Sequence, residues 1–289
     1  MDWLFAQPLD SVIFSNRIIL IVVATAVASA ALSALAMVTV GGGKYAALGC
    51  FAIPISFLGG YVMFLGVPDF PSADPLHLLP YIVLVGLIVG IVIDTFSHIE
   101  STRLAVVLGW PAVVVVTIGI LEMPNFATIA GLPMAVLWLS AVLTNLWLGL
   151  EHRFQTTPVV SLFVITIGLG LLAFIGGSKI LTILSGILAA AYLGFFALNW
   201  PMPRFAFLAV GNLGAAGAVL ALAVAQALFT ATQPLPLAVL LLVLPMPLIA
   251  GRLPFGAGPK AGPMVLLLVS IIPVAAAAAI ALHLKGSFF

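Results

Sequence analysis

The chain reads as an all-α, polytopic membrane protein of about ten transmembrane helices, and three observations predict that class. Hydrophobic residues make up 64% of its 289 positions, and mean hydropathy is +1.36. Only nine Lys or Arg and eight Asp or Glu are present, most of them in short gaps between apolar runs. Those runs reach the roughly 20 residues that a helix needs to cross a bilayer core, whereas barrel strands would be shorter and would alternate in polarity. No water-soluble domain hides so much apolar surface, so the expected solvent is lipid.

In chain order the candidate spans are 17–40, 45–66, 78–95, 104–121, 129–150, 158–175, 179–198, 205–230, 234–250 and 263–284. The first runs from Arg17 to a glycine-rich gap ending at Lys44, and the second stops before Asp69 and Asp74. The third ends at Asp94, the fourth lies between Arg103 and Glu122, and the fifth closes at Glu151. The sixth starts after Thr157 and stops before Lys179, which opens the seventh. Asn199 closes the seventh, Arg204 precedes the eighth, Gly251 and Arg252 follow the ninth, and Lys285 ends the tenth. Small residues crowd 24–36 and 211–223, which lets helix backbones approach closely. No stretch is polar enough for an extramembrane domain, so residues 1–289 read as one integral membrane domain.

Ten spans place both termini on the same side. One set of loops (41–44, 94–103, 151–157, 199–204 and 251–262) then holds Lys44, Arg103, Arg153, Arg204, Arg252 and Lys260. The other side holds Arg17, Lys179 and Lys285 together with Asp2, Asp10, Asp69, Asp74 and Glu122. The positive-inside rule puts the first set in the cytoplasm and both termini on the outer, periplasmic side. Asp2 and Asp10 replace the basic start of a signal peptide, and the apolar stretch after Arg17 is long enough to span. A net charge of +1 gives no basic face for nucleic acid. The four histidines, His77, His98, His152 and His283, are scattered without metal-ligand spacing. The single cysteine, Cys50, lies in an apolar run and reads as a buried, inert thiol.

With so few polar groups, any chemistry must use the ones at the helix ends. Asn199-Trp-Pro-Met-Pro-Arg204 joins spans seven and eight, its prolines stopping the helix, and span eight opens through Gly211-Asn212. The run from Leu193 to Asn212 resembles a signature of the polyprenyl-phosphate N-acetylhexosamine-1-phosphate transferases, which include the peptidoglycan lipid I synthase and the O-antigen and teichoic-acid initiators. Their pattern is approximately G-F-L-x-x-N-[FW]-x-P-A-[KR]-[IV]-F-M-G-D-x-G-S. Gly194, Asn199, Trp200, Arg204 and Gly211 match it, while Leu208 stands at its Gly, Ala209 at its Asp and Asn212 at its Ser. Gly90-Ile-Val-Ile-Asp94 resembles the family's helix-ending G-[LIF]-[LIV]-D-D, with Ile93 in place of the first acid. Leu143-Thr-Asn145 through Glu151-His-Arg-Phe154 resembles L-x-N-x-x-N-L-x-D-G-L-D-G. There Asn145 matches, Glu151 stands for the first Asp, Leu148 for the second Asn and Phe154 for the second Asp. Pro254-Phe255 is similar to the family's last cytoplasmic loop, although Gly258 replaces its acid and its histidines are absent; Lys44 with Leu48-Gly49 echoes the first loop. The resemblance covers roughly residues 40–262.

The resemblance implies a reaction in which Mg²⁺ neutralises a UDP-sugar pyrophosphate while a polyprenyl phosphate attacks it. Mg²⁺ needs an octahedral shell of hard oxygens, and the leaving UMP needs that charge. The family's acids fall on Ile93, Asp94, Glu151, Phe154 and Ala209, so only Asp94 and Glu151 remain, as vestigial catalytic positions. Losing several charge contacts of that kind removes about a thousandfold or more in rate. The substrate-binding candidates are Lys44, Asn145, Asn199 and Arg204, facing a membrane lipid, with polyprenyl phosphate the one the resemblance implies. Each also has a plainer reading. Asp94 and Glu151 can pair with Arg103 and Arg153, Lys44 and Arg204 can anchor the cytoplasmic side, and Asn145 and Asn199 can satisfy loop or cap backbone.

The expectation is therefore a catalytically degenerate homologue in a bacterial inner membrane, acting as a lipid-binding scaffold or as a subunit of a membrane complex, with no resident cofactor and no metal site. A divergent transferase built around Asp94 and Glu151, which would need Mg²⁺, is the first alternative, and a small transporter is the second. Against the transporter, no span carries a charge at its middle, and no inverted repeat with broken helices is evident.

Overall fold

The computed structural model describes residues 16–39, 46–68, 75–96, 106, 109–114, 117–118, 156–201, 205, 207–230, 234–253 and 260–286. Among these every regular element is helical. The helices are α1 (Asn16–Thr39), α2 (Ala52–Leu65), α3 (Leu78–Phe96), α4 (Thr157–Ile175), α5 (Lys179–Asn199), α6 (Ala216–Phe229), α7 (Pro234–Leu240), α8 (Met246–Ala250) and α9 (Gly262–Gly286). A 3-10 turn, Ala46–Phe51, leads into α2, and a π turn, Val210–Ala215, leads into α6.

Six helical stretches are long and apolar enough to cross a bilayer: Asn16–Thr39, Leu78–Phe96, Thr157–Ile175, Lys179–Asn199, Val210–Phe229 and Gly262–Lys285. Gly49–Leu65 and Pro234–Ala250 are shorter apolar stretches. This is the multi-pass helical architecture the composition predicts, with six such helices rather than ten in the described residues. Span 129–150 lies outside them, and of span 104–121 only a few helical positions, 109–114 among them, are described. Span 234–250 is not one helix: a 3-10 turn, Leu241–Val243, separates α7 from α8, where Pro245 and Pro247 supply no backbone donor.

Burial sorts the helices. Of the central window of Val210–Phe229, 78% is buried, against 22% for α1 and for α9, which lie at the periphery with apolar faces exposed. α5 packs against α1, α2, α4 and α6, and α4 and α5 form a tight hairpin. Its turn needs Gly177 at φ +83°, a left-handed conformation that a side chain disfavours. The Ser178 amide donates back to the Ala173 carbonyl (2.9 Å), and the Ser178 hydroxyl caps α5 by accepting from the Leu181 amide (3.4 Å).

In an apolar medium helices associate through close backbone approach and hydrogen bonds rather than through hydrophobic burial. α1 and α5 show both. The Ser29 hydroxyl donates to the Ala191 carbonyl (2.7 Å), and Gly194 sits directly on the Ala26 carbonyl. Between α4 and α6, the fully buried Gln226 amide, oriented to satisfy both ends, donates to the Leu169 carbonyl (3.2 Å) and accepts from the Ala173 amide (2.8 Å).

The polar contacts also fix helix direction. α1 runs parallel to α5, from Thr25 near Ile187 (both against Gly60) to Ser29 on Ala191. Lys285, at the end of α9, donates to the Ile175 carbonyl (2.8 Å), beside the start of α5. The start of α1 and the end of α9 therefore lie at one end of the bundle, with the ends of α3 and α5 at the other.

Gly194→Leu drives a side chain into the Ala26 carbonyl and should lower stability by about 2 kcal/mol or more. Gly59→Leu, at a position with nothing within 4 Å, should leave it unchanged. Thermal unfolding of the detergent-solubilised protein distinguishes the two.

Candidate functional site

The last turns of α3 carry Gly86, Gly90 and Asp94 at intervals of four, so all three share one face. The two glycines let the chain at 209–213 come against α3 backbone to backbone. A methyl group on Gly90 would lie 2.7 Å from the Val210 Cα and 2.9 Å from its nitrogen, and one on Gly86 would run into the Leu213 carbonyl. At that separation Asp94 reaches the first amides of the incoming helix. Its Oδ1 accepts from the Ala209 N–H (3.1 Å) and its Oδ2 from the Val210 N–H (2.9 Å), across 115 and 116 residues of sequence.

These amides have no intrahelical acceptor, and the helix dipole places partial positive charge on them. A half-buried carboxylate taking both is a charge-assisted N-terminal cap supplied by another helix. The capped helix starts irregularly: the Ala216 amide bonds to the Gly211 carbonyl, five residues back, in the π turn. Asn212, inside that turn, is buried with no partner for its Oδ1 among the described residues, and the same holds for the Trp110 indole N–H. That indole lies against Gly86 and Gly217 on the same seam.

Around the cap the surface is apolar. Cys50 is fully buried, as its apolar run predicts, and lies within electrostatic reach of Asp94. Gly49 packs on the Phe205 ring, whose centroid is 6.0 Å from that of Phe195. Tyr192 is fully buried, and its hydroxyl has no hydrogen-bond partner among the described residues. Nearby, the Trp200 indole donates to the Lys260 carbonyl (3.0 Å) and stacks on Phe196, tying the end of α5 to the start of α9.

Of the site residues the sequence singles out, Asp94 and Asn199 are described. Asn199 is buried at the last position of α5, where its Nδ2 donates to the Phe195 carbonyl (2.9 Å), a backbone-satisfying role. Lys44, Asn145, Glu151 and Arg204 lie outside the described residues, as do Phe154, Phe255 and Gly258. Two positions where the resemblance places acids are buried and apolar: Ile93 is 7% exposed and Ala209 1%. The sequence reading did not foresee the two backbone amides on Asp94, and Arg103, the partner it offered, lies outside the described residues. The signal was available in the four-residue spacing of Gly86, Gly90 and Asp94, which marks a face prepared for close approach.

Chemically, the described part of this seam is a poor Mg²⁺ site. It offers one carboxylate, with both oxygens already on backbone N–H groups, flanked by Ile93, Ala209 and Cys50. No group of three or more His, Cys, Asp or Glu occurs among the described residues. The chain matches no family model, no curated protein and no solved structure.

Asp94→Ala should cost about 1–2 kcal/mol of stability by leaving two amides uncapped, and Asp94→Asn less, because an amide oxygen still accepts. Unfolding midpoints of the two variants in the same detergent check the order.

Proposed function

We propose that this chain is a catalytically degenerate relative of the polyprenyl-phosphate N-acetylhexosamine-1-phosphate transferases. In this reading it is kept in a bacterial inner membrane as a lipid-binding scaffold or as a subunit of a larger membrane complex. The observation that supports the relationship is the meeting of Asp94 with Ala209. Two sequence blocks, singled out because they resemble two acidic motifs of that family, come into direct contact at one end of the helical bundle. The same contact supports the loss of catalysis, since one position has no acid and the acid at the other is bound to backbone.

The end of the bundle carrying Asp94, Trp200 and Lys260 is the cytoplasmic one in this reading. Lys44 and Arg204 belong there, and they carry the binding of a lipid phosphate head group. Phe154 and Phe255 are the candidate contacts for a partner subunit, whereas Phe205, which the sequence groups with them, is buried under Gly49 and Phe195 and offers no docking surface.

Purified protein given Mg²⁺, undecaprenyl phosphate and labelled UDP-N-acetylhexosamines is expected to release no UMP above background. It is expected to retain undecaprenyl phosphate in native mass spectrometry, and to lose it in the Lys44→Ala, Arg204→Ala double variant. UMP release that disappears on Asp94→Asn would instead make the chain an active transferase, and the absence of any retained polyprenyl phosphate would remove the lipid-binding role.

A further inference from the structure

We infer that the seam between α3 and the π turn is a latch, closed by Asp94, whose release uncovers the Ala46–Phe51 turn and Cys50. The inference rests on the geometry of the seam alone and holds whether or not the chain descends from a transferase.

Three features make this contact separable without unfolding the bundle. The first is how it is closed. Its polar closure is a side chain on two backbone amides at the outer end of the seam, where Asp94 is only half-buried. Removing that carboxylate releases both amides together. The second is what lies beneath. The π turn packs against Ala46–Phe51, a six-residue 3-10 turn, so two irregular segments face each other. Both have poorer ladder geometry than an α-helix, and 3-10 runs are uncommon at that length, so both are cheaper to reshape than regular helix. The third is the interface itself. At Gly90 the nearest atoms are the backbone of Ala209 and Val210, and at Gly86 the Leu213 carbonyl with the Trp110 indole beside it, so the closest approach is to backbone. α1 and α5, by contrast, are joined mid-helix by the Ser29 bond, and α4 and α6 by Gln226.

Cys50 makes the latch readable. It is the chain's single cysteine, fully buried, in the Ala46–Phe51 turn that packs against the π turn. Opening the seam separates the π turn from the segment that carries this thiol, which makes its accessibility the readout.

The test is the rate of N-ethylmaleimide labelling of the full chain in lipid nanodiscs. Wild type should resist, and Asp94→Ala should label at least about tenfold faster. Gly90→Ala should also label faster, because its methyl group wedges the seam apart and pulls the unaltered Asp94 carboxylate off its amides. A reporter in the buried second turn of α5, Leu184→Cys in a Cys50→Ser background, should stay protected with and without Asp94→Ala. Wild-type labelling that is already fast overturns the latch, as does Asp94→Ala labelling at the wild-type rate. Equal exposure of the Leu184→Cys reporter also overturns it, because the loosening is then global. If Asp94→Ala fails to fold, Gly90→Ala decides alone: faster labelling supports the latch and a wild-type rate overturns it.

Discussion

A carboxylate and a helix N-terminus are each expensive to leave unpaired in a low-dielectric surrounding, and in this protein each satisfies the other. Asp94 takes the Ala209 and Val210 amides at 3.1 and 2.9 Å, and the geometry of the neighbourhood follows from that requirement. The carboxylate is short, so α3 must come within backbone contact of the incoming chain, which Gly86 and Gly90 permit. The chain must also present two successive amides in line with the carboxyl group. It does so through an irregular first turn and then settles into α6. Removing either glycine would displace the acid from its amides, and removing the acid would leave the glycines packed against an uncapped helix.

The rest of the bundle meets the same demand in other ways. Ser29 spans from α1 to the Ala191 carbonyl, Gln226 joins α6 to α4, and the Lys285 ammonium takes the Ile175 carbonyl where α4 has run out of internal donors. Thr25, Ser33 and Thr166 return their hydroxyls to carbonyls one turn back in their own helices, so they add no inter-helix specificity. The described polar side chains therefore mostly serve backbone at ends and crossings. That is a structural use of polarity.

How much of this was legible beforehand divides along physical lines. The long apolar runs were readable because length and hydrophobicity alone fix a spanning helix, and α1, α3, α4, α5 and α9 begin or end within a few residues of their expected limits. Breaks inside runs were less so. Residues 234–250 are uniformly apolar, and only Pro245 and Pro247 signal that the helix is interrupted. The π turn of 210–215 has no marker beyond its glycines, because it arises from what Asp94 and α3 require of it. Asp94 itself was visible as a helix-end acid, but its partners are 115 and 116 residues away and are backbone atoms, which carry no residue-type signal. Asn199 was readable both as a partner for backbone and as a substrate contact, and its amide donates to the Phe195 carbonyl one turn back in its own helix.

The pairing of a retained acid at 94 with an alanine at 209 has its own logic if the resemblance reflects descent. An aspartate at 209 would set a second carboxylate beside the first, and like charges at that range in a partly buried site raise each other's cost until a cation neutralises them. Such a pair holds together around a metal, and its oxygens are then turned to the ion. Alanine at 209 removes the second charge and with it the need for the cation. The oxygens of Asp94 are then available to the amides of residues 209 and 210, which supply the compensation that the metal had supplied. Ile93 completes the change by turning the next acidic position into core, buried at 7% exposure. On this reasoning the substitutions at 93 and 209 and the cap at 94 are one event seen at three positions.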